Sequence, residues 1–360
     1  MDIATLIDKE HFTKSDIESL LALTGDKAKV LFKKAHETRL KYCGNKVYFR
    51  GLIEYSNVCM KNCYYCGIRH DCNHLNRYTL TDEEVIEAAK FAYKENYGSI
   101  VLQSGEISNI AFIQRIESLI KRIKKLSDGK LGITLSLGEQ TLETYQRWFD
   151  AGAHRYLLRI ESSNRSLYAK LHPNDDIHNY DERIKSLYDI KKVGYQLGSG
   201  VMIGLPYQTI SDLADDIIFL RDLDIDMCGM GPYIEHKETP LYSTKDTLLP
   251  LEDRITLTFK MISVLRIAMK DINIAATTAL QAIDPLGREK ALQVGANIIM
   301  PNVTPGEHRD EYKLYENKPC TDENPADCKT CLEARIKLAG SEIGYGEWGD
   351  SQHFSKKEDV

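Results

Sequence analysis

A chain of 360 residues with 42% apolar and 28% charged side chains can bury a large core by itself, and this balance excludes a disordered or collagen-like polymer. Its formal net charge of -6 supplies no cationic field to gather phosphates, which argues against a generic nucleic-acid or anionic-membrane binder. The compositional oddity is a set of nine cysteines. Met1 to Glu10 has neither a basic n-region nor a long apolar h-region, and no apolar run is long enough to cross a bilayer. The chain is therefore expected in a reducing cytoplasm, where tight cysteine groups serve as metal ligands or redox thiols rather than disulfides.

In chain order, residues 1–45 read as a helical preface. From there β-rich apolar runs alternate with amphipathic helical patterns. Strands are predicted at Lys46–Glu54, Ser99–Ser104, Gly132–Leu137, His154–Arg159, Leu197–Ile203, Met227–Pro232, Asn273–Thr277 and Asn297–Pro301. Helices are predicted between them, at Asp82–Asn96, Ile110–Leu126, Leu142–Ala151, Asp181–Val193, Ile210–Leu223, Leu251–Met269 and Pro285–Val294. Thr81-Asp82-Glu83-Glu84 is a capping-box pattern that starts the first of these. Strands separated by helices pair in parallel, and eight such units over residues 46–301 predict a complete (β/α)8 barrel of the TIM type. Residues 302–360 form a C-terminal extension that carries a second cysteine group, and preface, barrel and extension are expected to make one unit.

In such a barrel the chemistry gathers where the strands end. Strand one leads into a cysteine loop. Strand two ends Gln103-Ser104-Gly105-Glu106, strand three Ser136-Leu137-Gly138-Glu139 and strand four Arg159-Ile160-Glu161. Three successive strands thus bring a glutamate to one mouth, with Arg159 beside them. The loop itself, Cys59-Met60-Lys61-Asn62-Cys63-Tyr64-Tyr65-Cys66, spaces three thiols as C-x3-C-x2-C. Three thiolates on one short loop can ligate three irons of a cubane and leave the fourth open to a small chelating molecule. The alternative is a structural zinc site completed by Cys72, His70 or His74.

This spacing, with Tyr65 before the third cysteine, resembles the signature of the radical S-adenosylmethionine (SAM) superfamily. The resemblance implies a 4Fe-4S cluster on Cys59, Cys63 and Cys66, and SAM bound beside it. Ser104-Gly105-Glu106 resembles the motif that meets the methionyl amine, Glu161 the strand-four acid that contacts SAM, and Arg183 an arginine for the SAM carboxylate. Tyr65, Ser136, Gly204 and Leu205 complete the implied cofactor site. These residue types also suit the cofactor's chemistry, since a zwitterionic sulfonium needs carboxylates for its cationic parts and a fixed guanidinium fork for its carboxylate.

Over nearly the whole chain the resemblance extends to the HydE family of FeFe-hydrogenase maturases. It is carried by Phe49 to Cys59, Leu102 to Glu106, Thr134 to Glu139, Arg155 to Arg159, Gly204 to Thr209, Ala276 to Ala279 and Ala296 to Asn302. It implies a substrate with one iron bearing carbonyl and cyanide ligands on a cysteine. It also implies a chamber lined by Gln103, Thr134, Arg159, Thr277, Thr278, Tyr312 and Tyr315, and the other hydrogenase maturases and an electron donor as partners. Cys320, Cys328 and Cys331 resemble an auxiliary iron-sulfur site found in part of that family, with a structural zinc or an unoccupied cysteine trio as the alternatives. Methylornithine synthase and the biotin synthase group are the rival enzymes. A metal-binding scaffold or electron carrier is the rival from another class, although it would not need three glutamates and an arginine at one mouth.

Overall fold

The structure of the protein, a computed structural model, describes residues 3–321 and 325–358, the side chains of residues 326–328 and 358 excepted. Eight parallel strands form its centre. They are β1 (Lys46–Ser56), β2 (Ser99–Ser104), β3 (Gly132–Ser136), β4 (Arg155–Leu157), β5 (Gln196–Ser199), β6 (Met227–Cys228), β7 (Asn273–Ile274) and β8 (Ile298–Ile299). Their order in the sheet is β8-β1-β2-β3-β4-β5-β6-β7. Successive strands run parallel because a crossover helix returns the chain to the same edge each time. Ile110–Leu126 shows how these helices attach: Phe112, Ile116, Leu119, Ile120 and Ile123 lie on one face and are buried. The Thr81 capping box forms, with Thr81 Oγ1 accepting from the Glu84 amide and the Glu84 carboxylate accepting from that of Thr81.

The sheet sweeps 268° of arc, which corrects the complete barrel predicted from the sequence to an open one. At the seam β7 and β8 meet through one bridge, Ala275 to Ile298, flanked by Asn297 N–H to Ile274 O and Ala276 N–H to Ile298 O, both 2.9 Å. Each of these strands is two residues long, too short for a continuous ladder. The Asn297 side chain fills in, its Oδ1 accepting from Ile274 N–H (2.9 Å) and its Nδ2 donating to Asn273 Oδ1 (2.7 Å).

Two other predicted strands break midway. Leu197–Ile203 splits into β5 and Met202–Ile203, while Met227–Pro232 splits into β6 and Gly231–Pro232, and the two outer pieces pair with each other. The predicted helix Pro285–Val294 is Gly287–Gln293, preceded by a second short helix, Thr278–Ile283. In the preface, Lys14–Leu21 packs on Ile210–Asp222 and Gly25–Cys43 on Leu251–Ala268. Among the described residues no helix is long and apolar enough to cross a membrane.

The far end of the chain closes the barrel floor. Gly349 O accepts from Arg50 (3.1 Å) and Asn273 (2.8 Å), Trp348 O accepts from Arg155 (3.0 Å), and Asp350 pairs with Arg155. The helix Gln352–Glu358 follows, and His353 sits between Asp224 (2.7 Å) and Asp271 (3.0 Å). Hydrogen bonding to Asp271 raises the His353 pKa, against the opposing effect of burial. A histidine whose folded-state pKa is raised adds stability that is fully present below its unfolded value, near 6.5, and fades as pH rises through the folded value. The melting temperature is therefore expected to fall over this interval by a component that is absent in His353→Gln, as a pH series of thermal melts will show.

Candidate functional site

The cysteine loop is fastened before any metal is considered. Met60 N–H donates to Glu106 O (2.9 Å), Tyr64 N–H to Leu171 O (2.9 Å), His70 N–H to Lys61 O (2.8 Å) and Gly67 N–H to Leu314 O (2.9 Å). Arg77 donates to the carbonyls of Asn57, Ile68, Arg69, His70 and Cys72, gathering the loop around one guanidinium. Asn62 N–H donates to His178 Nε2 (2.8 Å), so the proton of that ring is on Nδ1 and is donated to Asp175 (2.6 Å).

Gly105 is what allows the loop to lie against the end of β2. A Cβ there would stand 2.3 Å from Val58 O and 2.7 Å from Cys59 Cβ. With the side chain absent, the next amide, Glu106 N–H, donates to Cys59 Sγ at 3.3 Å. Gly138, at φ +76°, plays the same part after β3, where a Cβ would meet Glu106 Cγ at 2.3 Å. Glu139 N–H then donates to Glu106 Oε2 at 2.9 Å.

Inside lies a chamber of about 330 Å³. Cys59, Cys63 and Cys66 line it together with Tyr65, Gln103, Ser104, Gly105, Glu106, Ser136, Arg159, Glu161, Arg183, Thr277, Thr278, Tyr312 and Tyr315. Three predicted positions lie off this wall. Thr134 is a layer deeper, its Oγ1 accepting from Arg155 Nε (3.0 Å) beside a small separate cavity at the floor. Leu205 belongs to an apolar cluster with Leu167, Leu171, Tyr233 and Leu241 that packs behind Tyr65. Gly204 turns the chain there at φ +80°, its N–H donating to Gln208 Oε1 (2.7 Å).

Of the three predicted mouth glutamates, Glu106 and Glu161 line the chamber and Glu139 stands behind the wall. Glu161 is held at φ +65°, a left-handed conformation that costs a non-glycine residue about 1–3 kcal/mol. Its N–H donates to Gly200 O (3.1 Å), and its own carbonyl accepts from Met202 N–H (3.1 Å). Its carboxylate pairs with Arg159 at 3.0 Å, and burial raises its pKa against the pull of Arg159 and Arg183. Arg159 Nε, by contrast, is buried without a hydrogen-bond partner among the described residues, which marks polar capacity kept for a ligand. Burial also raises the Glu106 pKa, against the lowering effects of Arg183 and Lys61. His172 is kept neutral, its pKa lowered by burial to about 3, with Nδ1 donating to Tyr168 O (2.8 Å) and Nε2 accepting from Tyr65 OH (3.3 Å).

Cys59, Cys63 and Cys66 meet on one wall of the chamber, and three thiols on a single loop can ligate three irons of a cubane. Burial pushes the Cys63 thiol up to about 12 and raises those of Cys59 and Cys66, so ligation must release protons.

Two cations went unnoticed in the sequence. Lys61, between the first two cysteines, is buried 3.2 Å from Glu106 and 2.9 Å from Glu139 and also donates to Ile177 O. Its signal was a lysine inside a cysteine loop that must approach several carboxylates. Lys318, from the extension, is buried against Glu54 at the end of β1 and donates to Tyr312 O (2.8 Å). With Tyr312 bonded to Gln103 (3.3 Å) and Tyr315 to Thr278 (2.8 Å), this segment roofs the chamber. No local pattern pointed to it. Of the second cysteine group, Cys320 is half-buried with Arg288 at 3.8 Å, Cys331 is exposed on the helix Pro325–Leu338, and the Cys328 side chain lies outside the described residues.

Comparison with known proteins agrees with this geometry. Residues 53–220 match the radical SAM superfamily. The chain is 43% identical over 350 residues to the FeFe-hydrogenase maturase subunit HydE of Thermotoga maritima, covering 97% of this chain and 96% of that protein. It is 27% identical over 341 residues to 3-methylornithine synthase of Methanosarcina barkeri, covering 93% and 91%. A crystal structure of methylornithine synthase superposes with a TM-score of 0.80 at 24% identity over 96% of this chain and 97% of that one, a likeness of fold.

Proposed function

This chain belongs to the radical SAM superfamily, in the family of the FeFe-hydrogenase maturase subunit HydE, and from that membership we propose how its chamber is used. It is a radical SAM enzyme of FeFe-hydrogenase maturation. Cys59, Cys63 and Cys66 would hold the 4Fe-4S cluster. Bound together, cluster and SAM supply a 5'-deoxyadenosyl radical by reductive cleavage of the sulfonium. Glu106 accepts the ammonium of SAM, Arg183 faces its carboxylate, and Glu161 takes a further polar group. Ser104, Gly105 and Ser136 shape the adjoining wall, and Tyr65, locked by His172, bounds it.

Across the chamber Arg159, Gln103, Thr277, Thr278, Tyr312 and Tyr315 meet the substrate, a cysteine-bound iron with carbonyl and cyanide ligands. Arg159 suits its anionic character, while the hydroxyls and the amide donate to cyanide nitrogen or carboxylate oxygen. The roof segment excludes water from a reactive primary-carbon radical. Preface, barrel and extension thus work as one unit, in a reducing cytoplasm. The other hydrogenase maturases and an electron donor are its partners, and Cys320, Cys328 and Cys331 hold an auxiliary cluster away from the chemistry.

The observation that carries this reading is that the three thiols share one chamber wall with Glu106, Glu161 and an Arg159 whose buried Nε has no hydrogen-bond partner among the described residues. The chain reconstituted anaerobically with iron and sulfide, then given dithionite and SAM, is expected to release 5'-deoxyadenosine. Its absence would sink the assignment. Deleting the gene in a host that makes FeFe-hydrogenase should abolish hydrogenase activity, and unchanged activity would refute the maturation role.

A further inference from the structure

Glu106 is the carboxylate proposed above to receive the ammonium of SAM, yet two buried cations lie close to it. Lys61 Nζ is 3.2 Å from Glu106 Oε1. Arg183 is buried on the same chamber wall, and its positive charge favours the ionised form of Glu106. Left alone with Glu106, these cations would satisfy it and compete with an incoming ammonium. The structure places a second carboxylate where it draws both away. Glu139 lies 2.9 Å from Lys61 Nζ through Oε2 and 2.6 Å from Arg183 Nε through Oε1. Its own amide fixes Glu106 by donating to Oε2 at 2.9 Å. All four side chains are largely buried, so solvent screens these pairings little. Two carboxylates and two cations leave the group neutral, and the cations are shared so that Glu106 keeps acceptor capacity toward the chamber, which Glu139 does not line.

We propose that Glu139 is a positioning residue that acts through Lys61 and Arg183, taking up both cations so that the Glu106 carboxylate stays available to the ammonium of SAM. This rests on the proposed role of Glu106. A residue that only braced the cysteine loop would hold the cluster. One that governs the availability of Glu106 changes SAM binding and leaves the cluster in place.

The test uses the full chain reconstituted with iron and sulfide, and reads iron content, the SAM dissociation constant by equilibrium dialysis, and the change that SAM makes in the electron paramagnetic resonance of the reduced cluster. Glu139→Gln is expected to keep its iron and to bind SAM about tenfold more weakly, the scale of one charge-assisted contact. Adding Lys61→Met to Glu139→Gln removes the competing cation and should restore most of the affinity, while Glu139→Asp, which keeps the charge, should stay near wild type. Unchanged affinity in Glu139→Gln, loss of its iron, or a double variant that binds more weakly than Glu139→Gln overturns the proposal. Glu106→Gln separates the two ideas: if it binds SAM as the wild type does, the role given to Glu106 is wrong, whereas if it alone loses affinity, Glu106 stands and the part given to Glu139 falls.

Discussion

Cys63→Ala, purified and reconstituted like the wild type, is expected to fail to hold iron at the first site and to release no measurable 5'-deoxyadenosine. The drop should exceed the ~10–100-fold typical of losing an outer partner of a metal ligand, because the proposal makes Cys63 a ligand itself. Among the described residues no thiol but those of Cys59, Cys63 and Cys66 lines the chamber. Cys72 is buried in the same loop but does not line the chamber, and its amide is committed to Arg69 O at 3.1 Å. The surrounding fastenings, from Arg77 to His178, do not involve the Cys63 side chain and should survive, so the variant is expected to fold with a normal circular dichroism spectrum. Cys331→Ala is the informative contrast. Its thiol is exposed on the extension and absent from the chamber wall, so with iron counted in both variants 5'-deoxyadenosine release is expected to be lost only in Cys63→Ala. Retained release in Cys63→Ala would remove the first cysteine group from the chemistry.

Lys318→Met is expected to lower the stability of the apo chain by about 3–5 kcal/mol, the usual consequence of stranding one member of a buried ion pair. Side-chain exposure is 7% for Lys318 and 2% for Glu54, so the carboxylate left behind has little water to turn to. Among the described residues it would keep only Asn302 Nδ2, at 3.0 Å. Pairing the change with Glu54→Gln removes the stranded charge, and Glu54→Gln/Lys318→Met should regain most of the lost stability in a thermal or denaturant melt. A single variant that melts like the wild type would mean that water already reaches Glu54. Because Lys318 also holds Tyr312 O, the single variant should loosen the roof over the chamber, seen as faster hydrogen exchange at the amides of residues 312–318.

Much of the architecture was readable from local pattern. Ile110–Leu126 was predicted to its ends because one face repeats apolar residues at helical spacing, and the Thr81 cap because its two partners are three residues apart. The cysteine loop and Ser104-Gly105-Glu106 were readable for a related reason: each packs its chemistry into a few consecutive residues. The seam was not. Whether eight strands close or leave an arc depends on how long β7 and β8 remain paired, which Asn297 and the neighbouring chain decide. Nor did strand-end position alone show that Thr134 faces Arg155 at the floor, or that Glu139 turns behind the wall to Lys61 and Arg183.

The sequence by itself therefore determined the alternation of strands and helices, the three-thiol loop and the acids beside it, because these depend on residues close together in the chain. Tertiary structure alone decided which charges share the chamber. Lys318 meets Glu54 across 264 residues and Arg183 meets Glu139 across the span from β3 to Tyr180–Val193, and no periodicity encodes such meetings. The physical reason is that a buried charge must find its partner in space, so the electrostatic balance around Glu106 exists only once the sheet has curved and brought those strand ends together.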